Sequence, residues 1–294
     1  MKQYIEACKK ILEEGTDIYN ERTGITCRTI INVDFVYDVG AGEFPVATTR
    51  KAHYKPAIAE LLGYLRGYSS AAQFREIGCN TWNANANENK AWLNNPNRKS
   101  TDDMGRVYGV QGRAWRTAVT DPTRDELAVV NIKYTDQLKS IINNLTAGID
   151  DRGEILSFWN PGEFDLGCLR PCMHTHQFSL IDGTLHLNSF QRSGDFPLGI
   201  RFNAIQCYVL LALMAQITGH KPGKVYHKIV NAHIYENQIE LMKEEVTRTP
   251  YEGHMLLINP KIKTLEDIET WVSTKDFELL GYNHHPAINY PFTV

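Results

Sequence analysis

Apolar residues at Tyr4, Ile5, Cys8, Ile11 and Leu12 recur at helical spacing, which predicts an amphipathic helix over 2–14, stopped near Gly15. Residues 27–38 are rich in Thr, Ile, Val, Phe and Tyr and predict a strand. Pro56 suits the first turn of a helix through 57–65, with Gly67 at its exit. The stretch 82–101 is dense in Asn and lacks periodicity, so it predicts loops. A helix over 127–145 and a strand over 153–159 follow. Residues 177–180 and 184–190 flank Asp182-Gly183, a hairpin signal. The segment 203–218 is apolar nearly all round and predicts a central buried helix capped by Gly219. A strand near 224–231 and a helix over 236–248 come next. Strands and helices mix without a βαβ rhythm, which predicts the α+β class. No repeat or low-complexity linker interrupts the chain, so 1–294 reads as one domain.

Composition narrows the partners. With 43% hydrophobic and 22% charged residues, the chain reads as a soluble globular protein. A net charge of −3 gives no general attraction to DNA, RNA or an anionic membrane, so any anion site must be local. The early Glu6 and the lack of a long apolar run argue against a secretory signal. The longest apolar stretch, 207–215, is bounded by Gln206 and Gln216 and reads as too short to span a bilayer. Six scattered cysteines predict reduced thiols and a cytoplasmic setting. Cys168 and Cys172 lack a second pair at zinc-site spacing, so no metal is expected.

Candidate chemistry concentrates in Arg170-Pro171-Cys172-Met173-His174-Thr175-His176-Gln177 and in the segments just after it. A lone cysteine is commonly a small buried residue, but Cys172 sits among cationic and polar neighbours that favour a thiolate. Gln191-Arg192-Ser193 combines a guanidinium with a hydroxyl, a pairing suited to phosphate; the plainer reading is an Arg192–Asp195 surface ion pair. Arg22, in a turn before Gly24, could reach the same anion or simply be solvated. Asn203, at the expected start of the buried helix, reads as a cap or as a carboxamide matching a uracil edge. Cytosine shows the reverse polarity at both positions. Glu60 lies on an apolar helix face, where burial would raise its pKa and suit it to proton transfer. His233 and Tyr235 share one face of a strand and could hold a sugar or merely pack.

Read in order, Arg22-Thr23-Gly24, Phe44-Pro45-Val46-Ala47-Thr48-Thr49-Arg50-Lys51, Glu60-Leu61-Leu62, Val107-Tyr108-Gly109, Ser157-Phe158-Trp159-Asn160, Pro171-Cys172, Gln191-Arg192-Ser193, Leu198-Gly199, Phe202-Asn203 and His233-Ile234-Tyr235 resemble the thymidylate synthase family over nearly the whole chain. The resemblance implies a large bent mixed sheet flanked by helices and a homodimer formed sheet to sheet. It implies dUMP as substrate and 5,10-methylenetetrahydrofolate as cosubstrate, with no metal. Cys172 would add to C6 of the base, Glu60 would serve proton transfers through water, and Tyr108 would help remove the C5 proton. Arg22, Arg192 and Ser193, with Arg152 of the partner subunit, would bind phosphate, beside Gln191 in the substrate site. His233 and Tyr235 would hold the ribose and Asn203 the base. Asp195 would bind the pterin, while Trp82 and Val294 would close over the folate.

The departures from the family pattern shape the expected product. Met173 stands where an imidazole is usual, Arg201 where a proline is usual, and Gly112 where a tryptophan is usual. The second tryptophan after Trp82 is absent, one of two arginines at Arg152-Gly153 is lost, and Ile229-Val230-Asn231 replaces Gly-Gly-Asp. Arg201 and the missing tryptophan resemble phage deoxycytidylate hydroxymethylases, whereas Asn203 keeps the uracil-reading type. The expectation is therefore a hydroxymethylase making 5-hydroxymethyl-dUMP, in a bacterial cell or a phage-infected host, with water attacking where bulky groups are lost. The alternative is a conventional thymidylate synthase making dTMP and dihydrofolate by hydride transfer. A dCMP hydroxymethylase and a noncatalytic nucleotide- or RNA-binding relative rank behind both.

Overall fold

The computed structural model describes residues 2–21, 23–120 and 129–292. Helix α1 (Lys2–Glu14) leads into β1 (Thr16–Asn20) and the long β2 (Ile25–Asp38). Helices α2 (Tyr54–Leu65), α3 (Ala71–Glu76), α4 (Asn83–Asn87), α5 (Lys90–Leu93) and α6 (Gly109–Arg113) follow. Next come β3 (Trp115–Thr120), β4 (Val129–Thr135) and α7 (Gln137–Thr146). Strands β5 (Ile155–Ser157), β6 (Met173–Ile181) and β7 (Thr184–Asp195) precede α8 (Gly199–Thr218), β8 (Lys221–Tyr235) and α9 (Ile239–Glu245). The chain continues through β9 (Met255–Ile258), α10 (Leu265–Thr270) and β10 (Phe277–Leu280).

Six strands form one mixed sheet in the order β1-β2-β8-β7-β6-β5. All neighbours are antiparallel except β7 and β8. A parallel pair needs a long crossover, and α8 supplies it. Along β7, burial alternates strictly at Leu185, Leu187, Ser189 and Gln191, so one face of the sheet is core. The opposite face leaves Ile31, Val36, Tyr226 and Val230 exposed on β2 and β8. The hairpin turn at Asp182-Gly183 has both residues at positive φ, 47° and 69°, as a two-residue turn of the primed type requires. The helix and sheet layers match the α+β expectation.

Helix α8 packs against α2, α7, β7 and β8. It is long and apolar enough to cross a bilayer by length and composition, contrary to the sequence-based expectation. The helix itself extends back to Gly199, and enclosure by those neighbours accounts for its apolar character. Gly219 caps it in the left-handed region at φ 79°.

Two other expectations need correction. The helix predicted over 127–145 is, where described, strand β4 followed by α7. Val129-Val130-Asn131-Ile132-Lys133-Tyr134 is β-prone and pairs with β3, and the Asp136 carboxylate caps α7 by accepting from the Lys139 N–H at 3.0 Å. Within 82–101, the Asn-rich stretch forms the short α4 and α5 rather than loops alone, and the Asn89 side chain caps α5.

Gly63 brings α2 and α3 together beneath the site. A Cβ there would lie 2.2 Å from the ring of Phe74, which is fully buried. Gly63→Ala should gain about 1 kcal/mol of helix propensity but lose roughly 1–3 kcal/mol to overpacking. Thermal unfolding should therefore show a lower Tm, and a raised Tm would refute the packing argument.

Candidate active site

Cys172 immediately precedes β6 and is partly exposed. The Arg192 backbone N–H donates to the Cys172 carbonyl at 2.9 Å, pinning β7 to the cysteine loop. The Arg192 side chain reaches back over the same loop. Its Nε donates to the Pro171 carbonyl at 2.9 Å, and Nη2 donates to the Arg170 carbonyl at 3.0 Å and to Cys172 Sγ at 3.7 Å. A guanidinium facing sulfur favours negative charge on that sulfur. Arg192 thus faces the cysteine loop rather than forming an ion pair with Asp195.

Tyr108 stands on the other side of the cysteine. Its phenolic oxygen accepts from the Cys172 backbone N–H at 2.9 Å. The residue adopts φ 42°, ψ −107°, a strained conformation for a bulky side chain. Stacking on Tyr64 at 4.6 Å and contacts with Trp82 and Phe158 hold it there. Gly109 permits this close approach, because a Cβ would fall 2.1 Å from the Tyr64 carbonyl. Burial pushes the Tyr108 phenol well above its usual range. Trp82 is itself buried in this aromatic cluster, and its indole N–H makes no hydrogen bond.

A buried polar chain runs behind the cysteine. The Thr81 hydroxyl donates to one oxygen of Glu60, and Gln206 Nε2 donates to the other at 2.6 Å. Asn203 Nδ2 donates to Gln206 Oε1 at 3.0 Å, and Gln191 Nε2 donates to Asn203 Oδ1 at 2.9 Å. Gln191 Oε1 then faces His227 Nε2 at 2.9 Å, and His227 Nδ1 faces the Tyr37 hydroxyl at 3.2 Å. Because Gln191 donates through its amide nitrogen, its oxygen must accept, so His227 carries its proton on Nε2. Burial raises the Glu60 carboxyl above its ordinary value, opposed by the Thr81 and Gln206 bonds. Asn203 lies in the second turn of α8, so it does not cap the helix as the alternative reading supposed. The first turn begins at Gly199, where the Asp195 carboxylate accepts from the Leu198 N–H at 3.4 Å.

A cleft of about 530 Å³ opens at the end of β7 and β8, lined by Asn20, Thr29, Arg192, Ser193, His233 and Tyr235 among others. His233 Nδ1 lies 2.8 Å from Asn231 Oδ1, which retains the polar contact at that departure from the family pattern. Asp195 is registered opposite His233, and burial pushes its carboxyl up to about 6. Arg152, expected to serve the partner subunit's site, does not line this cleft. Arg152 is exposed beyond β5, at the opposite edge of the sheet, with φ 73°. Arg22 and Val294 lie outside the described residues.

The departures do not open room in the way the sequence suggested. Met173 is 1% exposed and its sulfur meets the Cys207 thiol at 3.4 Å. A Cβ on Gly112 would already lie 3.0 Å from Leu156 and Phe158. Arg201 is buried, paired with Glu245 and stacked on Tyr4, with Arg50 3.7 Å from the same carboxylate. Burial opposes the Glu245 charge, but Arg201, Thr49 and Tyr290 hold its carboxyl below the ordinary range. Arg201 therefore satisfies a core carboxylate. Sequence reading passed over Gln206, noticed only as a polar break beside an apolar run; that isolated Gln was the available signal.

The chain matches the family described as thymidylate synthase over residues 2–294. It is 65% identical to a thymidylate synthase of Idiomarina loihiensis and 64% identical to one of Pseudoalteromonas translucida, each over the full length of both chains. It is 62% identical, over the same extent, to a thymidylate synthase of Haemophilus influenzae. The chain belongs to the thymidylate synthase family, whose members are pyrimidine C5 methyltransferases. These relatives do not support the expected hydroxymethylase, its divergent type or a phage origin. Among the described residues no group of three or more His, Cys, Asp or Glu side chains is arranged to hold a metal ion.

Burial pushes the His176 and His227 imidazoles down to about 3. Both are then neutral in the folded chain, while the unfolded chain protonates them near 6.5. Their contribution to stability is complete above pH 6.5 and is lost as pH falls towards 3. Of the ten imidazoles, these two should keep unchanged ring-proton NMR shifts between pH 5 and pH 8. Titration of either near 6.5 would contradict the assignment.

Proposed function

We propose that this chain is a conventional thymidylate synthase, converting dUMP and 5,10-methylenetetrahydrofolate to dTMP and dihydrofolate, and that residues 1–294 act as one catalytic domain. The observation carrying this reading is the arrangement of Cys172, clamped by Arg192 and Tyr108, in front of the Glu60–Gln206–Asn203–Gln191 chain. Full-length relatives named thymidylate synthase favour the methyl product over the hydroxymethyl one. Met173 fills its own site and Leu156 and Phe158 close on Gly112, which supports a reaction without an extra water.

Cys172 sulfur forms a bond to C6 of uracil, and the electron pair passes to C5, which bonds the one-carbon unit. Arg192 stabilises the sulfur whenever it carries charge, at the start and again on release. Tyr108, whose oxygen is held by the Cys172 N–H, keeps its own proton to orient the water or base that removes the C5 proton. Glu60, its carboxyl raised by burial, is suited to pass a proton to the O4 side of the ring. Asn203 offers Oδ1 to uracil N3–H and Nδ2 to O4. Arg22, Arg192 and Ser193 would take the phosphate, and His233 and Tyr235 the ribose. The folate would supply the one-carbon unit, its nitrogen keeping the electron pair of the N–C bond that breaks as the C5 proton leaves, and then a hydride to the exocyclic carbon; loss of the Cys172 sulfur from C6 releases dTMP beside dihydrofolate. Asp195 retains only long bonds at 3.4 Å, to Leu198 and Gln238, so its buried carboxyl suits the N–H donors of a pterin. Trp82 and Val294 would shield that side from water.

The bare sheet face bearing Ile31, Val36, Tyr226 and Val230 fits a homodimer formed sheet to sheet. Such a dimer would let Arg152 of the partner subunit reach the phosphate. The bacterial relatives favour a cytoplasmic setting. Incubation with dUMP and methylenetetrahydrofolate should give a methyl product by mass spectrometry, with dihydrofolate released; a hydroxymethyl product without dihydrofolate would overturn the assignment. Cys172→Ala should abolish conversion while keeping nucleotide binding. Asn203→Asp should shift preference towards dCMP, and an unchanged preference would remove Asn203 from base reading.

A further inference from the structure

Gln206 is fully buried on α8, and neither the proposed chemistry nor the cleft uses it directly. Both its amide hydrogens are engaged: Nε2 donates to Glu60 Oε2 at 2.6 Å and to the Ala57 carbonyl at 3.3 Å. Its oxygen accepts from Asn203 Nδ2. Rotating this amide by 180° would set its oxygen against a carboxyl and a backbone carbonyl while its nitrogen met the Asn203 nitrogen. The Ala57 carbonyl can never donate, so the orientation survives even when Glu60 is protonated. Gln191 plays the matching part on the other side of Asn203. Its Nε2 also donates to the Ser193 carbonyl at 2.9 Å, which fixes the nitrogen towards Asn203 Oδ1.

We propose that Gln206 is a specificity-positioning residue: anchored on Ala57 and Glu60, it prevents the Asn203 carboxamide from flipping and so imposes uracil over cytosine. This rests on the reading of Asn203 as the base-contacting group. With one N–H given to Gln206 and one Oδ1 lone pair taken up by the Gln191 N–H, Asn203 keeps a single N–H and a single lone pair. Their sides are set by the two glutamines. A flipped Asn203 would present the order that cytosine requires, and it would meet a donor facing a donor and an acceptor facing an acceptor. The polar chain therefore opposes cytosine recognition without touching the base. Such exclusion through unpaired buried groups can be far stronger than a missing contact.

Calorimetric dissociation constants for dUMP and dCMP, measured on the intact protein and two variants, test the idea. Gln206→Met keeps the volume and removes the amide; its preference for dUMP should fall about tenfold or more, with a lower Tm because Glu60, Ala57 and Asn203 each lose a partner. Gln206→Glu keeps an acceptor facing the Asn203 Nδ2–H, whether the new carboxyl shares a proton with Glu60 or is ionised, so near neutral pH its dUMP preference should stay close to the parent's. An unchanged preference in a folded Gln206→Met protein, or a preference lost in a folded Gln206→Glu protein, overturns the proposal. If Gln206→Met does not fold, the preference of Gln206→Glu decides alone. A parent protein that binds dUMP no better than dCMP would instead overturn the base-reading role of Asn203, a distinct result.

Discussion

The enclosure of α8 between the sheet and the helices α2 and α7 governs where every polar group of the site can stand. A helix apolar on nearly every side tolerates a buried amide only if that amide is fully hydrogen-bonded. Gln206 and Asn203 meet this condition through one another, and through Glu60 on α2 and Gln191 on β7. The same packing that buries Val209, Leu210 and Leu211 therefore also registers three elements against each other at hydrogen-bond precision. Sliding α8 by one residue would expose apolar surface and leave several polar groups unpaired together.

Around this rigid frame the nucleophile loop is held by backbone oxygens more than by side-chain packing. Arg192 gathers the carbonyls of Arg170 and Pro171, and Tyr108 takes the N–H of Cys172. The strained backbone at Tyr108 persists because its ring is sandwiched among Tyr64, Trp82 and Phe158. Local strain next to the thiol is thus maintained by an aromatic cluster that the rest of the fold builds.

Much of this was legible in the sequence, and the failures have physical causes. Helices α1 and α2, strand β2 and the Asp182-Gly183 hairpin followed from spacing and turn chemistry because their signals are local. Strand β4 was misread because it abuts α7 directly and its alternation is shared with a helical continuation; the Asp136 cap marks the true boundary. Cys172, Arg192, Tyr108, Asn203 and Glu60 were each singled out from the sequence; the structure joins Cys172, Arg192 and Tyr108 in one set of contacts and links Glu60 with Asn203 through Gln206 in another. The expected hydroxymethyl product, which the relatives do not support, rested on counting Met173, Gly112 and the missing second tryptophan as losses of bulk and on Arg201 as a likeness to the hydroxymethylases. In three dimensions Met173 fills its site, Leu156 and Phe158 close on Gly112, and Arg201 has a carboxylate partner contributed by α9. No local pattern reveals that Glu245, far along the chain, waits for Arg201.

The sheet order carries a consequence for biosynthesis. Strand β2 pairs along its length with β8, so that Cys27 meets Tyr235 across two-thirds of the chain. While the ribosome makes the intervening residues, β2 has only β1 beside it and keeps one long hydrogen-bonding edge bare. Closing such a distant pair is slow, and open edges of this kind invite association with other chains. The cleft shares that delay, since His233 and Tyr235 arrive with β8 itself. Nothing can be held by both its walls until most of the chain has been translated, and until then the bare edge of β2 is open to pairing with another chain.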